Sequence, residues 1–194
     1  MGRPREFDPD AALDRAMEVF WRHGYEGTSI ADLTAAMGIN RPSLYAAFGD
    51  KKELFRKCLD RYASGPAGYV REALQEPTCR AAVEALLRGS VERLTAPDTP
   101  PGCMAVSGAL ACGEESDCVK AELADRRRAA VDALQKRFEA GRTAGELPTE
   151  TDCAALALYV ATVLHGLSVQ ASGGVGKKEL MKVVEVALGA WPTD

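Results

Sequence analysis

The sequence is poor in the side chains that metal sites and cysteine-dependent enzymes require. Its 194 residues include only two histidines, His23 and His165. The six cysteines form no Cys-x-x-Cys pair: Cys58, Cys79, Cys103, Cys112, Cys118 and Cys153. A cysteine nucleophile needs a histidine base beside it, and neither histidine stands at a recognisable spacing from Cys103. We therefore expect no metal, no cofactor and no enzymatic activity, a cysteine-dependent enzyme being the weakest alternative.

Segments that would direct the chain to a membrane are also missing. The N-terminus has two arginines but lacks the apolar stretch of a signal peptide. The longest apolar stretch, from Cys153 to Val169, is interrupted by polar residues and glycine, and it falls short of the roughly 20 residues that a membrane span needs. We expect a cytoplasmic protein with no membrane partner, in which reduced thiols are favoured over disulfides.

An excess of positive charge is absent as well, which argues against binding to nucleic acid. The net charge is −4, and residues 1–60 contain nine Lys or Arg and ten Asp or Glu. However, the stretch from Thr28 to Lys57 has five basic and three acidic residues, a net of +2. Affinity for phosphates depends on where the cations lie, so this stretch still permits a surface that binds DNA.

Helical periodicity runs through the chain, and no strand-like alternation interrupts it. Helix starts are marked by capping residues, namely Asp8, Ser29, Asn40 and Asp50. Helix ends are marked by Gly24, Gly38 and Gly49. Further helices are predicted near 78–95, 103–115, 117–142, 150–171 and 177–190. The predicted fold is all-α, with a three-helix N-terminal domain at residues 1–50 and a larger helical domain at 51–194.

Residues 28–48 have the pattern of a helix-turn-helix. Gly38 separates two short helices whose apolar residues can pack on Leu13, Met17 and Phe20 of the first helix. These apolar residues are Ile30, Leu33, Met37, Ile39, Leu44 and Phe48. Packing in this way leaves Arg41, Ser43 and Tyr45 facing outward on the third helix. A guanidinium, a hydroxyl and a phenol suit base edges and phosphates, which predicts a DNA-binding helix.

The same stretch resembles the N-terminal domain of TetR-family regulators. The matching motifs are Gly24-Tyr25, Thr28-Ser29-Ile30, Ala36-Met37-Gly38-Ile39, Ser43-Leu44-Tyr45 and Lys51-Lys52-Glu53-Leu54. The resemblance implies a homodimeric regulator that binds double-stranded operator DNA, palindromic because the dimer is two-fold symmetric. It also implies a repressor that a small-molecule effector releases by altering the spacing of the two DNA-binding domains.

Carried over position by position, the resemblance implies a set of DNA contacts. Thr28 and Ser29 would meet phosphate at the start of the second helix. The recognition surface would consist of Arg41, Pro42, Ser43 and Tyr45. Lys51 would hold a phosphate from the fourth helix, and the arm with Arg3 and Arg5 resembles arms that enter the minor groove.

The segment Ala154 to Ala171 is apolar on nearly every side, so it must be covered on more than one side. A dimer interface supplies the second cover, and with the last helix it would form an intermolecular four-helix bundle. The interface residues predicted are Leu156, Tyr159, Val160, Val163, Leu167, Val184 and Leu188. The alternative is a central core helix within one chain. The run Arg126-Arg127-Arg128 is expected to be a solvated face without a role in DNA binding.

A pocket for a small apolar or electrophilic effector is expected among the central helices. Its predicted residues are Leu86, Leu87, Cys103, Met104, Val106, Leu110 and His165. For His165, an alternative to an effector ligand is a neutral histidine with a satisfied hydrogen bond.

Cys103 carries a second hypothesis about regulation. The segment around Gly102-Cys103 resembles a Gly-Cys signature at the start of the sixth helix in one subgroup of TetR-like regulators, some of which respond to electrophiles. Near a helix N-terminus the helix dipole favours a thiolate. A thiol-based repressor that senses redox state or electrophiles through Cys103 is therefore an alternative, and a small apolar buried cysteine is the plainer interpretation. On one helix Cys103 and Cys112 would lie about 13 Å apart, too far for a disulfide.

Overall fold

The computed structural model describes residues 7–108 and 116–192, and within these ranges its regular secondary structure is helical, without strands. The helices are α1 (Pro9–His23), α2 (Ile30–Met37), α3 (Arg41–Phe48), α4 (Lys51–Ser64), α5 (Tyr69–Ala73), α6 (Cys79–Leu94), α7 (Met104–Ser107), α8 (Asp117–Thr143), α9 (Cys153–Ser172) and α10 (Lys177–Gly189). The all-α prediction is confirmed. The helix expected at 103–115 is described only as the single turn α7, because residues 109–115 lie outside the described ranges.

The predicted capping residues start the first four helices. The Asp8 carboxylate accepts a hydrogen bond from the backbone N–H of Asp10 at the start of α1. Capping boxes pair Ser29 with Asp32 in α2 and Asp50 with Glu53 in α4, and the Asn40 side chain caps α3. These bonds satisfy N–H groups that have no partner inside the helix.

The turn between α2 and α3 depends on Gly38. Its φ of 68° and ψ of 32° lie in the left-handed region, where a residue with a Cβ is strained. The Gly38 N–H bonds to carbonyls in the last turn of α2, so the chain turns sharply into α3. This turn sets the angle between the two helices.

The buried apolar residues form two cores, one N-terminal and one C-terminal. The N-terminal core joins α1 to α4 and includes residues of α7 and α8, among them Met104, Val119 and Leu123. The C-terminal core joins α5, α6, α8, α9 and α10. Since α4 contributes residues such as Leu54 and Phe55 to the N-terminal core, that core continues past the boundary expected at residue 50. Cys103 packs against both cores.

Helix α9 has 20 residues, and an 18-residue window within it has a mean hydropathy of 1.5, so it is long and apolar enough to cross a membrane by length and composition. A single helix that passes this test is weak evidence for a membrane span, so the expectation of no membrane partner is not overturned. A third of its apolar window, 33%, is buried within the chain, where α9 packs against α6 and α8. A core helix of a protein that does not enter a membrane has the same properties.

Ion pairs connect α4 to α8. Arg56 of α4 pairs with Glu122 of α8, and Arg126 lies 2.8 Å from Asp60 and 3.1 Å from Glu122. The neighbouring Arg127 donates a hydrogen bond to the Ala105 carbonyl at 3.0 Å. The expectation that residues 126–128 are only a solvated face is wrong for the first two arginines, because their partners come from helices distant in sequence.

Candidate DNA-binding surface

Helix α3 is held by its buried side, so its opposite face is presented to solvent. Leu44 and Phe48 are 0% and 5% exposed, and they join Leu33 and Met37 of α2 and Phe20 of α1 in the N-terminal core. These contacts agree with the predicted buried stripe. The orientation of α3 about its axis therefore follows from packing of its apolar side.

The outer face of α3, defined here by Arg41, Pro42 and Tyr45, is exposed. Tyr45 is 50% exposed, so its ring and hydroxyl are open to solvent. Arg41 and Tyr45 are four residues apart, so they lie on the same side of the helix. Ser43 is half-buried and its N–H donates to the Asn40 cap at 2.9 Å. The face combines a cation with an aromatic group and a nearby hydroxyl.

The two hydroxyls at the start of α2 are placed differently. Thr28 is 1% exposed and its hydroxyl donates to the Gly24 carbonyl at 2.7 Å. The prediction that its side chain meets phosphate is wrong, because this hydroxyl closes the turn between α1 and α2. Ser29 is exposed and its hydroxyl donates to the Asp32 carboxylate at 2.7 Å. Hydrogen bonds from Ser29 hold the pKa of that carboxyl below its usual value.

Lys51 begins α4 beside the helix-turn-helix. Its ammonium lies 4.4 Å from the centroid of the Tyr25 ring, within the range of a cation–π interaction. Tyr25 in turn packs against Phe20 and Phe55, with ring centroids 6.3 Å and 5.2 Å away. The position of Lys51 is therefore set by an aromatic cluster of the N-terminal core.

Two basic side chains that the sequence did not single out cap the C-terminal ends of α2 and α3. Arg15 donates to the Met37 carbonyl at 3.3 Å, at the end of α2. Lys57 donates to the Phe48 carbonyl at 3.0 Å, at the end of α3. Cations favour helix C-termini because the last carbonyls lack partners. No local pattern could have identified them, since the contacts depend on how α1 and α4 pack.

The predicted arm residues, Arg3 and Arg5, lie outside the described residues. The described chain starts at Phe7, whose ring packs against Phe48 at 6.3 Å. Because Phe48 ends α3, Phe7 lies beside the helix-turn-helix.

Most residues predicted for the effector pocket are buried in the cores. Leu86, Leu87 and Met104 are at most 1% exposed and Val106 is 8% exposed, while Leu110 lies outside the described residues. Burial and the nearby Arg127 lower the pKa of His165, which favours the neutral histidine interpretation. A cavity of about 210 Å³ lies elsewhere, between the two cores, and none of the predicted pocket residues lines it. It is lined by Trp21, Tyr62, Gly65, Pro66, Tyr69, Arg93, Leu94, Thr99 and Gly102.

The described cysteines differ in how far they are exposed to solvent. Cys58, Cys79 and Cys153 are buried, Cys103 is half-buried and Cys118 is exposed. Burial raises the pKa of Cys58, and burial together with the Glu146 carboxylate raises the pKa of Cys79 to about 12. Cys112 lies outside the described residues. Cys103 directly precedes α7, whose four described residues carry only a small helix dipole.

Four residues predicted for the dimer interface belong instead to the C-terminal core. Val160, Leu167, Val184 and Leu188 are at most 5% exposed, so one chain already covers them. Leu156 and Val163 are partly buried against the same core, and Tyr159 is 41% exposed. The apolar face that α9 and α10 leave uncovered, here called the α9–α10 face, consists of Leu158, Tyr159, Val169, Val183 and Val186.

Comparisons with known proteins agree with this architecture. Residues 12–58 match the model of bacterial regulatory proteins of the tetR family. Residues 79–181 match that of the tetracyclin repressor-like C-terminal domain. The HTH-type transcriptional repressor ComR of Escherichia coli K12 is 35% identical over 193 residues, 98% of this chain and 92% of ComR. The repressor BdcR of the same organism is 30% identical over 188 residues, 96% of this chain and 90% of BdcR.

Solved structures provide a comparison in three dimensions. The TetR family regulator CifR, as a cysteine mutant complexed with 26 bp double-strand operator DNA, is 47% identical with a TM-score of 0.95. The match covers 98% of this chain and 100% of that one. A TetR transcriptional regulator from Rhodococcus sp. RHA1 is 44% identical, with a TM-score of 0.65 over 96% of this chain and 100% of its own.

Proposed function

Since the chain belongs to the TetR family of bacterial regulatory proteins, we propose that it reads operator DNA through the outer face of α3. The protein is a DNA-binding transcriptional repressor. The observation that supports the site is a capped α3 whose apolar side is buried while Arg41, Pro42 and Tyr45 are exposed. In a helix-turn-helix the second helix enters the major groove.

The proposed contacts divide between base edges and phosphates. Arg41 and Tyr45 reach into the groove, with Ser43 at its edge, while Ser29 and Lys51 meet phosphates on either side. Thr28 is left out because its hydroxyl is buried. Arg3 and Arg5 would follow the minor groove, since the described chain begins beside α3. The proposed place of action is the cytoplasm.

The proposed repressor acts as a homodimer on a roughly palindromic operator. The α9–α10 face supports this proposal, because it exposes five large apolar side chains on two adjacent helices. Two copies of the face would form a four-helix bundle about a two-fold axis. Dimerisation would set the distance between the two DNA-binding domains, and an effector would release the protein by changing that distance.

A second candidate for the signal is a thiol at Cys103, in line with the Gly-Cys resemblance. Two observations favour it. Cys103 is half-buried and packs against both cores, so a modification there would reach both domains. The similar regulator CifR has been solved as cysteine mutants bound to DNA.

The test of the DNA-binding proposal is footprinting and binding on the upstream region of the protein's own gene, over a series of salt concentrations. We expect Arg41→Gln to weaken operator binding by about tenfold and to relax specificity at the base pair that Arg41 contacts. Arg128→Gln is the matched control, because Arg128 is an exposed arginine of α8 paired with Asp125. The absence of protection by the wild-type protein at low salt would contradict the proposal.

A further inference from the structure

The cavity of about 210 Å³, here called the junction cavity, lies where the two cores meet. One wall comes from Trp21 of α1 and Tyr62 of α4, which belong to the N-terminal core. The opposite wall comes from Tyr69 of α5, from the end of α6 and from the turn at Gly102. A molecule in this space would contact both domains at once.

The inner walls of the junction cavity are aromatic. The rings of Trp21 and Tyr62 meet edge to face, with centroids 4.8 Å apart, and Pro66 and Leu94 add apolar surface. A dry apolar cavity of about 150 Å³ is large enough for benzene. The junction cavity at about 210 Å³ therefore accommodates one aromatic ring with a short substituent.

A cation lies at the rim of the junction cavity. Arg93 lines the cavity from the last turn of α6 and is exposed. Among residues 7–108 and 116–192, no carboxylate forms an ion pair with the Arg93 guanidinium. The other residues that line the cavity are uncharged. A guanidinium matches a carboxylate with two parallel hydrogen bonds. The polar end of a bound molecule is thus expected to be a carboxylate.

We propose that the junction cavity binds a small aromatic carboxylate, with its ring against Trp21 and Tyr62 and its carboxylate at Arg93, and that this binding weakens the affinity for operator DNA. The ligand site stands on the geometry of the cavity. The effect on DNA rests on the proposed function.

Hydrogen bonds across the junction provide the coupling. The Trp21 indole N–H donates to the Gly102 carbonyl at 2.9 Å, and the Tyr25 N–H donates to the Gly108 carbonyl at 2.8 Å. Both bonds hold the end of α1 to the segment 102–108. A ring inserted beside Trp21 and Gly102 would displace α1 and α4, which support α2 and α3 through the N-terminal core. The DNA-binding surface would move with them.

The site is tested by titrating benzoate into the purified protein in a calorimeter, without DNA. We expect saturable binding with one molecule per chain, and weaker binding of the neutral benzyl alcohol. Arg93→Gln should weaken the binding of benzoate by about tenfold, the effect of losing a charge-assisted hydrogen bond. The control is Arg80→Gln, an exposed arginine in the first turn of the same helix. No binding, or equal binding by both variants, would overturn the site.

A variant that fills the cavity gives a second readout. Thr99 lines the junction cavity from a loop and is half-buried, so Thr99→Phe should abolish benzoate binding while retaining the wild-type melting temperature within a few degrees. Benzoate binding by a folded Thr99→Phe protein would place the ligand elsewhere and overturn the proposal.

The coupling is tested on operator DNA with and without saturating benzoate. We expect benzoate to weaken operator binding by the wild-type protein about tenfold, a typical allosteric coupling. Operator binding by Thr99→Phe should not change. Benzoate binding with no change in operator affinity would overturn the coupling. A protein that fails to bind the operator without benzoate would instead contradict the proposed function, and calorimetry would still decide the ligand site.

Discussion

Thr28 and Ser29 are adjacent in the chain, yet their hydroxyls have different surroundings. The Thr28 hydroxyl is buried and donates a hydrogen bond to the Gly24 carbonyl in the turn after α1. The Ser29 hydroxyl is exposed and caps α2. A phosphate can approach only the exposed one, so the same kind of side chain serves the fold at one position and is available to DNA at the next.

The cysteines show a similar dependence on surroundings. Cys58 and Cys79 are buried, and burial raises the pKa of each thiol, so neither readily forms the reactive thiolate. Cys103 lies at the junction of the cores, beside the Tyr62 phenol. Of the described thiols that are not fully buried, Cys103 is the one in contact with both domains.

The thiol hypothesis predicts a specific result with N-ethylmaleimide, which alkylates accessible thiols. The reagent should release the wild-type protein from operator DNA, since a bulky group on Cys103 would separate the cores. Cys103→Ser should resist release, and operator binding is measured by a mobility shift. Cys118→Ser is the control, because Cys118 is exposed on α8. Equal release of wild type and Cys103→Ser would eliminate Cys103 as the sensor.

Contacts between elements determine how α4, which carries Lys51, is held against α8. Arg56 and Asp60 of α4 pair with Glu122 and Arg126 of α8. Burial raises the pKa of the Glu122 carboxyl, but hydrogen bonds from Arg56 and Arg126 outweigh this effect and hold the pKa below its usual value of 4.5. The ionised carboxylate is therefore favoured in the folded protein.

A group whose folded-state pKa is lowered stabilises the fold above its unfolded pKa, and this contribution disappears as the pH falls through the folded pKa. Glu122 should thus contribute at neutral pH and lose its contribution as the pH falls below about 4.5. We expect Glu122→Gln to lower the free energy of unfolding by about 1 kcal/mol at neutral pH. The difference from wild type should shrink in acid, as measured by thermal melts across the pH range.

Asp125→Asn is the control for this prediction. Asp125 lies on the same helix, but its exposed carboxylate pairs with Arg128 one turn away, and exposed pairs contribute little. A Glu122→Gln protein that loses stability with acid as steeply as wild type would show that the α4–α8 ion pairs do not carry this dependence.

Among the residues that the structure describes, the α9–α10 face forms an extended apolar surface that the chain leaves uncovered. Leu158 is 60% exposed and Val186 is 74% exposed. Gly166, also on α9, has no neighbour within 4 Å of the position of a Cβ atom, so a second helix could approach closely. Such patches are characteristic of protein–protein interfaces, which agrees with the proposed dimer.

Val186→Glu is expected to convert the dimer to monomers, because it buries a charge within the proposed interface. The dimer dissociation constant should rise by about a hundredfold, as measured by sedimentation, and operator affinity should fall. Ala133→Glu on the exposed side of α8 is the matched control. The monomer should remain folded, since Val186 is exposed in one chain. A Val186→Glu protein that stays dimeric would refute this interface.

The sequence by itself determined where the first four helices start, the turn between α2 and α3, and which side of α3 is buried. Capping residues such as Ser29 and the left-handed Gly38 act through bonds within a few residues, so their effect can be predicted without knowledge of distant contacts. The buried side of α3 follows from the spacing of Leu44 and Phe48, and the exposed position of Arg41 follows from it. The family motifs predicted the function from sequence alone, because they lie in one continuous stretch of the chain.

Only the tertiary structure decided which apolar residues are core and which remain for a partner. Along α9 the sequence is apolar on nearly all sides, so periodicity could not distinguish the buried Val160 from the exposed Leu158. The sequence also could not predict the junction cavity, the partners of Arg126 or the burial of Thr28. Each depends on contacts between helices, and the direction in which a helix faces is set by packing against elements distant in the chain.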